Sequence, residues 1–330
     1  MNGTKCAIWI MLALLVFAVS PPLPNRAAAA VPAAHQVAQL KITVLSTMLA
    51  DGDALGEWGY AALVEVDGRK FLFDTGAHAD VVLRNARSLG IDLAQVEDVV
   101  ISHNHDDHTG GLLTLRRELM KINPKAMSRV HAGAGVFSSR SGPDGSEGNG
   151  LLPLRADYEA MGGRFILYDR PTELAPGVWL TGPVPRPNHE TNWSPGLKLR
   201  TATGTAPDTV AEDSSLVFAS ADGMVILTGC GHAGIVNISQ YGRAITGSNR
   251  IVAIVGGVHL FGKSDAVIRW TAGELLSFHP RYLLLGHCTG VEAAYELRAL
   301  LGLARKTAVV SAVGSRFELG KGIDPGMIAA

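Results

Sequence analysis

The chain has 330 residues, 47% of them hydrophobic and 18% charged, with a formal net charge of −1. That is enough apolar material for a large core, and the charge balance excludes the basic footprint of a nucleic-acid binder. The 38 glycines point to many tight joints between strands and loops.

Lys5 is the only charge before Ala7–Val19, an unbroken apolar run of 13 residues. Pro21, Pro22, Pro24 and the alanine tract Ala27–Ala30 follow. A short apolar run ahead of small residues reads as a secretory signal peptide over residues 1–30. That places the chain in the periplasm or outside the cell. The run is short for a membrane span of about 20 residues. An uncleaved anchor is the alternative, and only then would the chain meet a membrane. Residues 31–39 read as an Ala/Pro-rich linker, and 40–330 as one domain. Cys6 lies ahead of the apolar run, so it is not read as a lipid attachment site. Cys230 and Cys288 each sit beside a histidine, in GCGH and GHC. They read as site-adjacent thiols rather than a disulfide.

The predicted elements then alternate. Leu40–Met48 is a β-branched strand. Asp51–Gly59 is a loop in which Trp58 could line a site but is expected rather to cover the core. Tyr60–Val66 and Lys70–Phe73 are strands joined by Asp67-Gly68, a hairpin signal. The second runs into Asp74-Thr75-Gly76, where a carboxylate at a strand end orients neighbouring ligands. His78 beside it reads as surface. Val81–Leu89 is a helix capped by Gly90. Val96–Ile101 is a strand that feeds Ile101–Gly111, ISHNHDDHTGG, and the helix Leu112–Ile122 follows.

In that stretch His103 and His105 are two apart, so an extended backbone points them the same way. Asp107 and His108 come where the chain turns, and face the same point from another side. Imidazole and carboxylate are ligands of borderline divalent metals. Gly110 and Gly111 leave room for close backbone approach. Asp106 reads as solvent-facing or as a cap for the next helix.

Ser128–His131 is a strand ending on a structural histidine. Gly133–Gly150, rich in breakers, is a long loop, either a lid or a mobile insertion. A short helix ends over Tyr158–Gly163, and Arg164–Tyr168 and Gly177–Thr181 are strands. Pro183–Trp193 is irregular, and its Arg186, His189, Glu190 and Trp193 are candidate pocket residues. His189 is also a candidate ligand. Asp213–Ser220 and Met224–Thr228 form a second hairpin about Asp222-Gly223. The latter ends in Gly229-Cys230-Gly231-His232. The helix Ile235–Ile245, the strand Ile251–Gly257 before His259 and the helix Asp265–Phe278 come next. Tyr282–Leu285 is a strand running into Gly286-His287-Cys288. The helix Val291–Leu301 and the last strand, Ala308–Ala312, complete the order. His35 and His279 read as incidental. Each candidate ligand follows a strand, where sites on layered α/β proteins collect.

His103, His105 and His232 make one set of three ligands, and Asp107, His108 and His287 a second. Three protein ligands with an open position mark a catalytic site. Two divalent ions, zinc first with manganese or iron as alternatives, would hold a hydroxide that attacks a phosphoester, lactone or related ester of a small-molecule substrate. Asp107 and Asp74 are the candidate catalytic carboxylates. Cys230, His259 and His189 are candidates for lining the site.

HNHDDH, FDTG, TGCGHAGIVN, GGVHL and GHCTG stand in this order in the chain. Over roughly residues 40–318 it resembles one branch of the metallo-β-lactamase superfamily, that of the 7,8-dihydropterin-6-ylmethyl-4-(β-D-ribofuranosyl)aminobenzene 5′-phosphate synthases. LRNARSLGIDL and PVPR resemble that branch too. The resemblance implies an α/β fold, an αββα sandwich with a metal cleft at one edge of its two sheets. Two departures stand out. Many members place a bridging Asp where this chain has Cys230. Many place a His where it reads Glu212-Asp213-Ser214. The synthase activity belongs to cytoplasmic cofactor biosynthesis, against the export segment, so the expectation is an exported metal-dependent hydrolase. The alternatives are a mononuclear iron oxidoreductase of the same fold and a non-catalytic metal-binding module.

Overall fold

Strand side chains alternate between two destinations, and this sets the layers. In Ala61–Val66, Ala62, Val64 and Val66 enter one hydrophobic cluster, and Ala61 and Leu63 another. In Gly223–Thr228, Val225 and Leu227 join that first cluster, and Met224 and Ile226 a third. Residues two apart on a strand share a face. Each sheet therefore packs on the other by one face and on helices by its other face. The result is the expected αββα sandwich. The computed structural model describes Met1 and residues 35–142, 144–190, 192 and 196–330. The leader expected over 1–30, and Trp193, lie outside the described residues. The described residues from His35 to Ala330 belong to one compact unit. Among the described residues, no helix is long and apolar enough to cross a membrane.

The first sheet has eight strands among the described residues. Their spatial order is Gly322–Asp324, Arg316–Glu318, Leu40–Ser46, Ala61–Val66, Arg69–Phe73, Asp98–Ile101, Arg129–Gly133 and Arg164–Tyr168. The second has seven: Ala308–Val310, Tyr282–Leu285, Ile251–Gly256, Gly223–Thr228, Leu216–Ser220, Val178–Leu180 and Thr172–Ala175. Helices Val81–Ser88, Leu112–Leu119 and Leu151–Ala160 cover the first. Helices Ile235–Thr246, Asp265–Leu276 and Val291–Leu300 cover the second. In each sheet a run of four strands, from the centre to one edge, is parallel. Their carboxyl ends therefore share one edge, and the loops there carry the polar groups.

Three stretches differ from expectation. Val37 is buried and its N–H donates to the Ala219 carbonyl at 2.7 Å, so the fold begins inside the stretch read as a linker. Arg316–Glu318 pairs with Leu40–Ser46 and with Gly322–Asp324, so strands continue past Ala308–Ala312. Each is three residues long, with one apolar residue at its centre, too short to announce itself. The Gly133–Gly150 segment is tied to the body. Its Arg140–Ser141 pairs with Lys198–Thr201, which forms a hairpin with Gly204–Pro207. The fully buried Arg140 guanidinium donates to Asp208 at 2.6 Å and to both Glu212 oxygens at 2.7 Å.

Removing one member of a buried ion pair strands the other's charge and costs about 3–5 kcal/mol. Arg140→Ala is expected to lower the unfolding free energy in urea by about that amount and to expose residues 133–150 to protease. A loss within the ~1 kcal/mol of a surface pair would show that these contacts do not tie the segment down.

Candidate metal centre

The first site stretch is extended at His105 (φ −65°, ψ 146°) and then makes one helical turn, Asp106–Thr109. The extended part sends both leading histidines to one side, with His103 Nε2 and His105 Nδ1 3.0 Å apart. The turn brings Asp107 and His108 round to join them. Asp74–Gly76 grips this loop from behind. The Thr75 N–H and hydroxyl both donate to the His108 carbonyl, at 2.7 and 3.0 Å. The Gly110 N–H donates to the Gly76 carbonyl at 2.9 Å. Glycine is required next, because a Cβ on Gly110 would collide with the Ala77 carbonyl oxygen, and one on Gly111 with that of Thr75.

The second sheet supplies the other half. Gly223–Thr228 leads to Cys230 and His232, and Tyr282–Leu285 to His287 and Cys288. His232 Nε2 lies 3.2 Å from His103 Nε2. His287 Nε2 lies 3.2 Å from His108 Nε2 and 3.3 Å from the Asp107 carboxylate. So His103, His105 and His232 converge as one triad and Asp107, His108 and His287 as another, each with donor atoms within 4.8 Å of one another. His103, His108, His232 and His287 are fully buried. Asp74, His259 and His287 hold φ of 56°, 47° and 50°. Residues other than glycine seldom adopt that conformation, and the exceptions cluster at functional sites.

A partner on the far nitrogen orients each of three imidazoles. The Asp74 carboxylate accepts from His108 Nδ1–H, from the Ser102 N–H and from the Ser102 hydroxyl, each at 2.7 Å. With its own proton committed, Ser102 Oγ accepts from His103 Nδ1–H at 2.8 Å. His232 Nδ1–H donates to the Asn192 carbonyl. These partners assign the tautomers, leaving a lone pair on Nε2 of His103 and His232, while His108, its Nδ1–H held by Asp74, turns Nε2 inward. His103 and His232 thus aim two bare lone pairs at each other across 3.2 Å. That arrangement repels unless a cation lies between them. Neutral imidazoles and one carboxylate are the donor set a divalent metal takes.

Charge follows the same logic. Burial and the neighbouring imidazoles hold His103 well below the usual histidine range. Burial does the same to His232 and takes His105 to about 4, so all three are neutral at neutral pH. Burial also opposes a charge on His108, but Asp107 and Asp74 outweigh it and push His108 up to about 9. Burial works against the Asp107 carboxylate too, yet His108 and His287 hold it well below the usual range.

The remaining expected residues fall into place around the triads. Cys230 and Cys288 are free, buried thiols, and Cys230 Sγ lies 3.2 Å from His108 Nε2. The His259 ring is 4.7 Å from that of His232 and lines the site. His189 is exposed and not among the clustered donors; it lines a neighbouring cleft of about 560 Å³ with Asn188, Glu190, Asn192, Lys263 and Trp270. Asp74 is fully buried and acts through His108 and Ser102, so it is a positioning residue. His78 is exposed and bonded to Glu57, while His131 is held between Asp98 and Tyr168.

Trp58 is not core cover. It is 48% exposed, and its ring stands 5.1 Å from His287 and 5.7 Å from Phe261, itself 64% exposed. Together they form the rim of the site. Glu190 does more than line a pocket. Its buried carboxylate accepts the N–H groups of Val236 and Asn237 at 3.3 and 2.9 Å, at the start of the helix that follows His232. Burial pushes Glu190 up to about 7. Asp213 accepts the Ala233 N–H at 2.9 Å and steadies the same turn. An acid beside a helix N-terminus is a known signal, but nothing local ties Glu190 to a helix 46 residues on.

Asp74→Asn keeps the side chain's size but replaces one acceptor oxygen with a donor. It is expected to weaken metal binding about 10- to 100-fold in a chelator competition; unchanged affinity would show that Asp74 does not orient the ligands. A pH dependence follows from His105, which titrates near 6.5 when unfolded and about 4 when folded. The unfolded chain takes up that proton first, so the metal-free fold loses stability as pH falls from 6.5 towards 4. The Tm of chelator-stripped protein should fall across that interval, and a flat profile contradicts the assignment.

Comparison with known proteins gives the same picture. Residues 59–193 match the profile described as "Metallo-beta-lactamase superfamily". Over 245 residues the chain is 31% identical to 7,8-dihydropterin-6-methyl-4-(beta-D-ribofuranosyl)-aminobenzene-5'-phosphate synthase of Methanocaldococcus jannaschii, covering 71% of this chain and 82% of that one. A solved metal-dependent hydrolase of the beta-lactamase superfamily, 28% identical, superposes with a TM-score of 0.65 over 79% of this chain and 93% of its own. Zinc-bound PqqB of Methylobacterium extorquens, 14% identical, shares the fold at a TM-score of 0.50 over 84% of this chain and 100% of its own. The two-sheet sandwich, the ligand stretches and these likenesses agree: the chain belongs to the metallo-β-lactamase superfamily, in the branch of the dihydropterin aminobenzene phosphate synthase.

Proposed function

We propose that this chain is an exported metal-dependent hydrolase that cleaves a phosphoester, lactone or related ester of a small-molecule substrate. One observation carries the reading: two sets of three donors, drawn from opposite sheets, meet at one edge of the fold. A purely structural zinc takes a single closed set of four. Held in such sets, divalent ions supply Lewis acidity and lower the pKa of water towards about 7.

The chain's own groups do the rest. Asp74, Ser102 and the Asn192 carbonyl fix which imidazole nitrogens face inward. Asp107 is the one donor carboxylate of the triads and is partly exposed, so it sits where the bond that breaks would lie. Trp58 and Phe261 shield the His287 side from solvent. The cleft beyond Asn192 has room for the rest of a substrate, with Lys263 supplying a cation. The similarity to a metal-dependent hydrolase supports the reaction type. The signal-peptide pattern of residues 1–30 supports export, and separates this chain from a cytoplasmic synthesis.

The test is metal content of protein purified without added metal, paired with a screen of aryl phosphodiesters, phosphomonoesters and lactones. About two zinc or manganese ions per chain with turnover is the expected result. One iron and no hydrolysis favours the oxidoreductase, and bound metal without turnover favours a binding module. His105→Ala is expected to lose metal and activity together while far-ultraviolet circular dichroism stays unchanged; full activity in that variant overturns the reading.

A further inference from the structure

Four buried polar atoms where the two sheets meet are left over by the hydrogen bonding of the fold: Thr47 Oγ1, the Tyr60 hydroxyl, Ser311 Oγ and His287 Nδ1. Among the described residues none of them has a hydrogen-bond partner. The residues that carry them are at most 1% exposed. Thr47 follows Leu40–Ser46 and Tyr60 precedes Ala61–Val66, both in the first sheet. Ser311 and His287 follow Ala308–Val310 and Tyr282–Leu285 in the second.

Two glycines let the three hydroxyls come together. A Cβ on Gly286, the residue before His287, would collide with the Ser311 hydroxyl and stand 2.8 Å from that of Thr47. A Cβ on Gly256 would stand 3.3 Å from the Tyr60 hydroxyl. The Gly286 N–H donates to the Gly256 carbonyl at 3.1 Å, so the hydroxyls gather about one pair of neighbouring glycines. The Tyr60 ring lies 6.4 Å from that of His287. A buried hydroxyl without a partner costs free energy, and buried polar groups are nearly always paired. An internal water makes about three hydrogen bonds to groups of this kind. It both donates and accepts, as hydroxyls and an imidazole nitrogen require.

We propose that the hydroxyls of Thr47, Tyr60 and Ser311 hold an internal water that hydrogen-bonds His287 Nδ1, which makes them positioning residues for that ligand. His103, His108 and His232 are oriented by protein atoms, those of Ser102, Asp74 and Asn192. His287 is oriented by a solvent molecule enclosed between the sheets. The water site rests on the fold alone. Its effect on His287 rests on the centre holding metal, and neither part depends on the reaction performed there.

The sign of a stability change tests the water. Thr47→Val and Tyr60→Phe each remove a hydroxyl and keep the shape of the side chain. Removing a hydroxyl that has no partner leaves the chain as stable as before or more so, whereas removing one that holds a water strands the rest of the network. Each variant is therefore expected to lower the Tm of chelator-stripped protein by about 2–4 °C. The double variant is expected to fall by less than the sum, because both hydroxyls act on one water. An unchanged or raised Tm in the single variants overturns the proposal, and so do losses that simply add. Zinc competition against a chelator tests the positioning. Thr47→Val is expected to weaken one bound zinc about tenfold or more and to leave the other as it was, while Thr47→Ser, which keeps the hydroxyl, holds both as wild type does. Equal weakening in Thr47→Val and Thr47→Ser, or none in either, overturns the positioning role. No zinc bound by wild type overturns the metal reading, and the Tm result still decides the water.

Discussion

The metal centre hangs on the carboxylate of Asp74. It ends the strand Arg69–Phe73 in a left-handed conformation, fully buried. A buried carboxylate is costly unless its oxygens are satisfied, and three hydrogen bonds of 2.7 Å satisfy these. One comes directly from His108, a member of the Asp107 triad. Another comes from the Ser102 hydroxyl, which in turn receives the proton of His103 in the other triad. One group thereby sets the tautomer of one ligand in each set. Thr75 and Gly76, the next two residues, hold the backbone of the ligand loop. The short stretch FDTG therefore controls both where that loop lies and which nitrogens it presents.

The centre belongs to neither sheet alone. His103, His105, Asp107 and His108 leave the first, while Cys230, His232 and His287 leave the second. They meet because Phe73 and Val100 pack against the layer that holds Leu227, Val255 and Leu284. Core packing and site geometry are then a single variable. Without a cation, buried lone pairs face each other across the junction. A cation turns that repulsion into bonds. Binding only to the folded state, it stabilises by about 4 kcal/mol when its free concentration is about a thousand times Kd. The junction where the sheets are least comfortable alone is the one that the metal closes.

Much of this centre was legible in the chain, because metal chemistry demands particular residue types at short spacing. HNHDDH packs four of the six triad donors into one turn of backbone. The stretches around His232 and His287 stood out because buried parallel strands read as near-continuous apolar runs, so a histidine just past their ends is conspicuous. What stayed hidden is long-range. Asn192 acts through a carbonyl, which every residue has. Arg140 finds partners 68 and 72 residues further on. Trp58 read as core cover because it is a large aromatic, and its place beside His287 joins it to a residue from the far end of the chain. The strands after residue 315 are three residues each, too short for a pattern to stand out, and Arg316–Glu318 forms because Leu40–Ser46 offers it an open edge.

The surroundings of the two triads are unequal, and that matters for any chemistry done there. The His287 side is roofed by Trp58 and Phe261. The His232 side adjoins Asn192, and beyond it a cleft lined by Asn188, Glu190 and Lys263. Electrostatic interactions strengthen as water is excluded. Charge developing under the aromatic rim is therefore felt more strongly than charge developing toward the polar cleft. The walls therefore differ: aromatic rings at one end, and hydrogen-bonding groups with Lys263 at the other.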